Sequence, residues 1–186
     1  TNVWRVMGRG PGLTCFVLDV IKGLVPVLGA GLAKGLVPAS VFVAPIAPAD
    51  AWWWLGTLAG AILGHMFTPW AGFKGGKGVA TGLGAALGVA PVLTLPALAA
   101  FALWCVVAKI TRMVSVASCV AAAAIPVLVW AWARASAQRV DVAPFVIATS
   151  VIGGLVVVRH RANLVRVWKG TENRIGRRPA AGPAAP

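Results

Sequence analysis

Carboxylates are almost missing from this sequence: Asp19, Asp50, Asp141 and Glu172 are the only four acidic residues among 186. No paired-carboxylate arrangement is present, which excludes the usual glycosidase chemistry. No Ser-His-Asp or zinc-ligand arrangement is present around the two histidines, His65 and His160. The three cysteines, Cys15, Cys105 and Cys119, all lie inside apolar stretches without metal-ligand spacing and read as small core hydrophobes. General-base candidates are therefore few, and no metal or cofactor is expected. A reaction carried by this chain should use a substrate that is already activated, the protein supplying position and positive charge.

What the chain has instead is apolar length. Hydrophobic residues make up 59%, charged residues 11%, and the mean hydropathy is +0.86, far outside the soluble globular range. The expectation is an all-α, polytopic integral membrane bundle. A net charge of +13 could suggest nucleic acid, but Arg and Lys cluster between the apolar runs without a continuous basic face. Positive connecting loops of a membrane protein explain the charge better, and no nucleic-acid partner is expected. The sequence opens on Thr1 with no signal-peptide pattern, so an upstream segment is expected.

Apolar runs occupy roughly 13–33, 51–67, 79–107, 114–133 and 142–158. Four are near the ~20 residues of one crossing, but the third, at 29 residues, would make a helix of about 43 Å and is interrupted by Pro91 and Pro96. Charge placement chooses how it folds. If the run breaks near Pro91 into a short helix at 79–90 and a full one, 13 basic residues fall on one membrane face and 3 on the other, with Lys22 inside the membrane. A single crossing gives 10 against 6, so the positive-inside bias favours the break. Six membrane helices follow, one of them short. The Gly-Lys loop, the 109–118 turn and the basic tail then share the cytoplasmic face. The 37–50 stretch, with three prolines and no Lys or Arg, reads as an external loop, and 179–186 as a disordered Ala/Pro tail.

The most informative segment is Gly72-Phe73-Lys74-Gly75-Gly76-Lys77-Gly78-Val79-Ala80-Thr81. Glycines leave backbone N–H groups uncovered, the following helix presents its positive end, and Lys74 and Lys77 add full charge, so the turn suits a phosphate. It is not a nucleotide P-loop, because three residues rather than four separate Gly72 from Gly76, and Gly78 stands where a magnesium-binding hydroxyl is needed. A plain basic turn between helices would also account for the lysines.

Other polar residues are placed with less precision. Asp19 and Lys22, three apart on one helix face, read as a structural ion pair outside the site. His65 precedes the glycine loop and could contact a bound phosphate or simply pack. Arg159-His160-Arg161-Ala162-Asn163 concentrates polar groups at a helix end, with Arg159 and Asn163 one turn apart; a positive-inside anchor explains the arginines but not His160 and Asn163. Glu172, in Lys169-Gly170-Thr171-Glu172-Asn173, reads as a structural organiser of nearby arginines.

Three separated blocks together resemble one family. Thr1-Asn2-Val3-Trp4-Arg5 with Leu18-Asp19-Val20-Ile21-Lys22-Gly23, Gly64-His65-Met66-Phe67 with the Gly72 to Thr81 segment, and the His160 and Glu172 blocks are similar to the bacterial acyl-phosphate:glycerol-3-phosphate acyltransferases, the PlsY family. Thr111-Arg112-Met113-Val114-Ser115-Val116-Ala117-Ser118 resembles the family's segment between the second and third blocks. The resemblance implies transfer of a fatty acyl group from acyl-phosphate to the first hydroxyl of glycerol-3-phosphate, giving lysophosphatidic acid and phosphate.

By the same resemblance, Gly75, Gly76, Lys77 and Gly78 take part in glycerol-3-phosphate binding with His160 and Asn163 nearby. Arg5, Arg112 and Ser115 help hold phosphate groups. Asn2, Lys74 and His65 join the substrate-binding set, and His160 or a substrate phosphate serves as base. The family's first motif opens with Gly-Ser-Gly-Asn ahead of a stretch like Thr1-Asn2, preceded by a further helix. Residues 1–178 are thus expected to form a membrane acyltransferase domain lacking its first helix, with seven helices in a full chain. A monomer in the bacterial inner membrane, in contact with lipid, is implied. The competing class is a transporter for a phosphorylated or anionic metabolite, which predicts internal repeats and charges near the midplane; no repeat is seen.

Overall fold

The structure, a computed structural model, describes residues 2–37, 46–135 and 141–176, excepting the side chains of Asn2 and Arg5. Every regular element among these is helical: α1 (Asn2–Met7), α2 (Arg9–Ala33), α3 (Pro48–Met66), α4 (Val79–Gly88), α5 (Thr94–Thr111), α6 (Val114–Ala135), α7 (Ala143–Arg159) and α8 (Arg161–Trp168). Helices α2, α5 and α6 are each long and apolar enough to cross a membrane. A fourth span arises if α7 and α8, bent by 57° at His160, count as one.

The long third run does break. Helix α4 ends at Gly88, two residues earlier than the expected 90, and α5 starts at Thr94. Pro91 lies in the connection and Pro96 falls in the first turn of α5, where its missing N–H costs nothing. At 10 residues, α4 is about 15 Å long and cannot cross a bilayer alone. It is held instead by backbone-to-backbone packing on α2. A Cβ on Gly84 would overlap the Val20 carbonyl, and one on Gly88 would come to 3.0 Å from both Leu24 O and Leu28 N. Apolar helices in lipid gain from such close approach, since lipid tails are as apolar as leucine.

The core runs along α3 and the α4–α5 connection, where Trp54, Ile62, Met66, Val89 and Leu93 are fully buried. The Trp54 indole donates to Val27 O at 2.9 Å, tying α3 to α2 across their antiparallel packing. At the far end of the same pair Lys34 meets Asp50 at 2.9 Å and lies over the Trp53 ring. Most of the expected 37–50 loop, and the 179–186 tail, lie outside the described residues; residues 48–50 open α3 rather than belonging to a loop.

The expected turn at 109–118 is far tighter than the sequence suggests. Only Arg112 and Met113 separate α5 from α6. Arg112 takes the left-handed conformation (φ 57°) and donates its N–H to Ala108 O at 2.9 Å, while Thr111 Oγ1 accepts from Met113 N at 3.1 Å. These bonds close one helix and release the next within two residues, which places Ser115 and Ser118 inside α6.

Candidate active site at one end of the bundle

The C-terminal ends of α3, α5 and α7 and the N-terminal ends of α4 and α6 converge, and α8 with the stretch after it packs against them. The glycine loop is folded tightly onto the end of α3. Gly75 N donates to Met66 O at 3.1 Å and Gly76 N to His65 O at 3.2 Å, while Phe73 and Lys74 donate to Thr68 and Ala71. This corrects the expectation that the loop's glycine N–H groups stand open: those of Gly75 and Gly76 are used internally. The donors left to an anion are those of the first turn of α4, which no helix can satisfy from within. Gly78, left-handed at φ 79°, turns the chain into that helix.

Arg159, at the last position of α7, closes the loop from the opposite side. Its Nη2 donates to Met66 O, Gly75 O and Gly76 O at 3.2, 3.2 and 3.1 Å, and its guanidinium lies 5.4 Å from the Phe67 ring centroid. From sequence alone this arginine reads as a positive-inside anchor. An arginine next to an apolar run carries no signal that its partners will be carbonyls more than 80 residues away.

Beyond Arg159 the chain bends at His160, so Arg159 and Asn163 do not share one helix face as their spacing suggested; they belong to α7 and α8. The bend delivers Asn163 to the glycine loop. Lys77 Nζ donates to Asn163 Oδ1 at 2.5 Å, and Asn163 Nδ2 donates to Glu172 Oε1 at 2.7 Å. Ser115 Oγ donates to that same oxygen at 2.7 Å, and Arg166 Nε reaches Oε2 at 2.8 Å. Glu172 thus gathers one arginine, a serine from α6 and the asparagine that holds Lys77. Burial by itself would raise the Glu172 pKa; the hydrogen bonds from Asn163, Ser115 and Arg166 outweigh it and hold the carboxyl below its ordinary value. Ile175 N donates to Arg112 O at 2.7 Å, fastening the stretch after α8 to the α5–α6 turn.

His160 is buried, with Nδ1 2.8 Å from Val156 O. A carbonyl can only accept, so Nδ1 carries the proton and Nε2 keeps its lone pair. Burial lowers its pKa below the ordinary histidine value; the bond to Val156 O opposes this, the Lys77 charge adds to it and the Glu172 charge opposes it.

Of the expected site residues, Lys77, His160, Asn163, Ser115, Arg112 and the glycines come together here, and His65 lies beneath the loop. The structure describes no side-chain geometry for Asn2 and Arg5; their backbone forms α1, which leads into α2. Next to the polar cluster an apolar cavity of about 130 Å³ opens at Gly78 and Val79 and extends between the helices past Ala97, Phe101, Trp104 and Ile152. A cluster of cations and amides thus borders an apolar cavity at the head of α4.

Comparison with known proteins gives the family. The profile of the glycerol-3-phosphate acyltransferase family matches residues 1–170. The chain belongs to that family. It is 42% identical over 175 residues to the glycerol-3-phosphate acyltransferase of Geobacter sulfurreducens, an alignment covering 94% of this chain and 77% of the relative. The corresponding protein of Gloeobacter violaceus is 42% identical over 179 residues, covering 95% and 76%. Crystal structures of PlsY (YgiH), an integral membrane glycerol 3-phosphate acyltransferase, superpose with a TM-score of 0.75 at 33% identity, covering 94% of this chain, in a glycerol 3-phosphate form and a lysophosphatidic acid form. This acyltransferase is therefore a membrane enzyme, and every regular element among its described residues is helical.

One contact of this acyltransferase was not foreseen from sequence. Asp19, read as half of an isolated ion pair with Lys22, also has its Oδ1 3.7 Å from His65 Nδ1. The two residues are 46 positions apart and meet only because α2 packs on α3, which no local pattern reveals.

Proposed function

We propose that the chain transfers a fatty acyl group from acyl-phosphate to the 1-hydroxyl of glycerol-3-phosphate, releasing lysophosphatidic acid and phosphate. The observation that carries this reading is the adjacency of the Lys77–Asn163–Glu172 cluster to the apolar cavity that starts at Gly78. Both substrates bear phosphate, and one bears a chain that belongs in lipid.

Glycerol-3-phosphate is assigned to Lys77, Lys74 and the N-terminal turn of α4, with Gly75, Gly76 and Gly78 shaping the loop. The acyl chain is assigned to the cavity, which sets its carbonyl near the polar cluster. Arg112 and Ser115, with Asn2 and Arg5 from α1, are assigned to the phosphate groups. The 1-hydroxyl attacks the acyl carbonyl carbon, its proton passing to His160 Nε2 or to a substrate phosphate. The tetrahedral oxyanion collapses by breaking the bond to phosphate, which leaves with the electron pair. Lys77 and the α4 dipole stabilise the charge that moves through this sequence. Because an acyl-phosphate is a mixed anhydride, little more than placement and positive charge is needed.

The same reading assigns six membrane helices, α2 to α7, with α4 the short one, and places the site at the cytoplasmic face of a bacterial inner membrane. It rests on the 13 to 3 distribution of basic residues. Trp70 and Trp168, both almost fully exposed at the site end, suit the lipid headgroup level. In this reading a monomer is the working unit.

The test is steady-state transfer by the purified protein in lipid with acyl-phosphate and acyl-CoA compared as donors. Turnover with acyl-phosphate alone is expected; equal turnover with acyl-CoA would reject the donor assignment.

A further inference from the structure

The Asp19, Lys22 and His65 group has no part in the mechanism above, yet it lies directly under the loop that mechanism uses. Lys22 Nζ and His65 Nδ1 approach the same carboxylate oxygen of Asp19, the histidine at 3.7 Å. Cys15, one turn earlier on α2, has its thiol 4.0 Å from the other oxygen. The His65 side chain is only 12% exposed. Its far edge, Nε2, occupies the space into which a Cβ on Gly76 would project. Its main-chain oxygen accepts from Gly76 N at 3.2 Å and from the Thr68 hydroxyl at 3.0 Å. One residue therefore touches the α2 carboxylate with one ring edge and supports the glycine loop with the other and with its carbonyl.

Charge geometry argues for more than an inert ion pair. A carboxylate and an ammonium three residues apart on one helix would neutralise each other without α3. The additional approach of His65 costs rotamer freedom and brings an aromatic ring against a glycine, and the loop is then fixed from both sides. Arg159 binds the Gly75 and Gly76 carbonyls from α7, while His65 bounds Gly76 from α3. Lys77 follows Gly76 directly, so the His65 ring seats the residue next to the lysine that meets Asn163.

We propose that Asp19 is a positioning residue for glycerol-3-phosphate: balanced by Lys22, it fixes the His65 ring as the seat of the Gly75–Gly76 turn and so sets where Lys77 stands. This rests on the phosphate assignment made under Proposed function. Asp19 touches neither substrate and acts only through His65.

The experiment uses the full protein in lipid and the variants Asp19→Asn, His65→Gln and the double variant. Both substrates are varied in steady state, and equilibrium binding of glycerol-3-phosphate is measured in parallel. Each single variant is expected to raise the KM and the Kd for glycerol-3-phosphate about tenfold, with kcat changed less than about twofold and the KM for acyl-phosphate unmoved. The double variant is expected to be no worse than either single one, because both break one chain of contacts. An unchanged glycerol-3-phosphate KM and Kd in Asp19→Asn, equal effects on both substrates, or effects that multiply in the double variant would overturn the proposal. So would an Asp19→Asn protein that cannot be recovered folded while His65→Gln folds and binds normally, since the carboxylate would then serve stability alone. Absence of transfer in the unaltered protein would count against the proposed function; the Kd comparison would still decide the role of Asp19.

Discussion

Lys77 Nζ donates to Asn163 Oδ1 at 2.5 Å across 86 residues of sequence, and this bond joins the glycine loop to the helix that follows the bend at His160. Through Asn163 Nδ2 the connection runs on to Glu172, and from there to Ser115 and Arg166. The lysine is thus held by the protein's own side chains.

Replacing Lys77 or Asn163 by Ala is expected to slow transfer while the protein still inserts in the membrane. A charge-assisted hydrogen bond is worth roughly 1.5–3 kcal/mol, which corresponds to a loss of about ten- to a hundredfold in rate if felt in the transition state. Steady-state rates with saturating acyl-phosphate check this. Unchanged rates in both variants would remove the pair from the site.

Glu172→Gln keeps the shape and removes the charge. Its carboxylate accepts from Ser115, Asn163 and Arg166 in a buried position, so the expected loss of stability is about 1–3 kcal/mol. The folded carboxyl has a lowered pKa, so its contribution is complete above the ordinary glutamate range and is lost as pH falls through the folded value. Thermal unfolding in detergent at neutral and acid pH should show the wild-type advantage over Glu172→Gln shrinking in acid. A constant difference would contradict the ionised assignment.

The depressed pKa of His160 makes a related prediction for the reaction. The neutral ring persists below the ordinary histidine range, so wild-type kcat/KM should stay flat through neutral pH and fall only on the acid side of that range. His160→Ala should lose that acid limb together with most of the rate. An unaltered acid limb in the variant would assign the titration to a substrate phosphate.

The cavity assignment predicts donor selectivity. Ala97 and Ala100 line the space between α4 and α5, and both are buried. Ala100→Phe should shorten the cavity and lower turnover of long-chain acyl-phosphates more than short-chain ones. Parallel loss across chain lengths would place the acyl chain elsewhere.

Several parts of this architecture were legible in the residues. The break between α4 and α5 was legible from the length of the apolar run around Pro91 together with the placement of charge; a proline alone would not decide it, since α2 and α6 run through Pro26 and Pro126. Helical spacing misled where the helix ends: Arg159 and Asn163 appear one turn apart in sequence, yet the bend at His160 sends one to the glycine carbonyls and the other to Lys77. The glycine loop announced an anion site, but not that Gly75 and Gly76 spend their N–H groups on α3, since that depends on which helix end lies beneath. The link from Asp19 to His65 depends on the glycine-mediated approach of α2 to its neighbours and could not be read locally.

The most direct measurement follows labelled glycerol-3-phosphate in proteoliposomes of the purified protein given acyl-phosphate, with inorganic phosphate released counted alongside. Lysophosphatidic acid and phosphate should form in equal amounts, and Lys77→Ala should depress both together by at least about tenfold. Phosphate release without lysophosphatidic acid, or transfer indifferent to Lys77, would contradict the assignment of this end of the bundle as the acyl-transfer site.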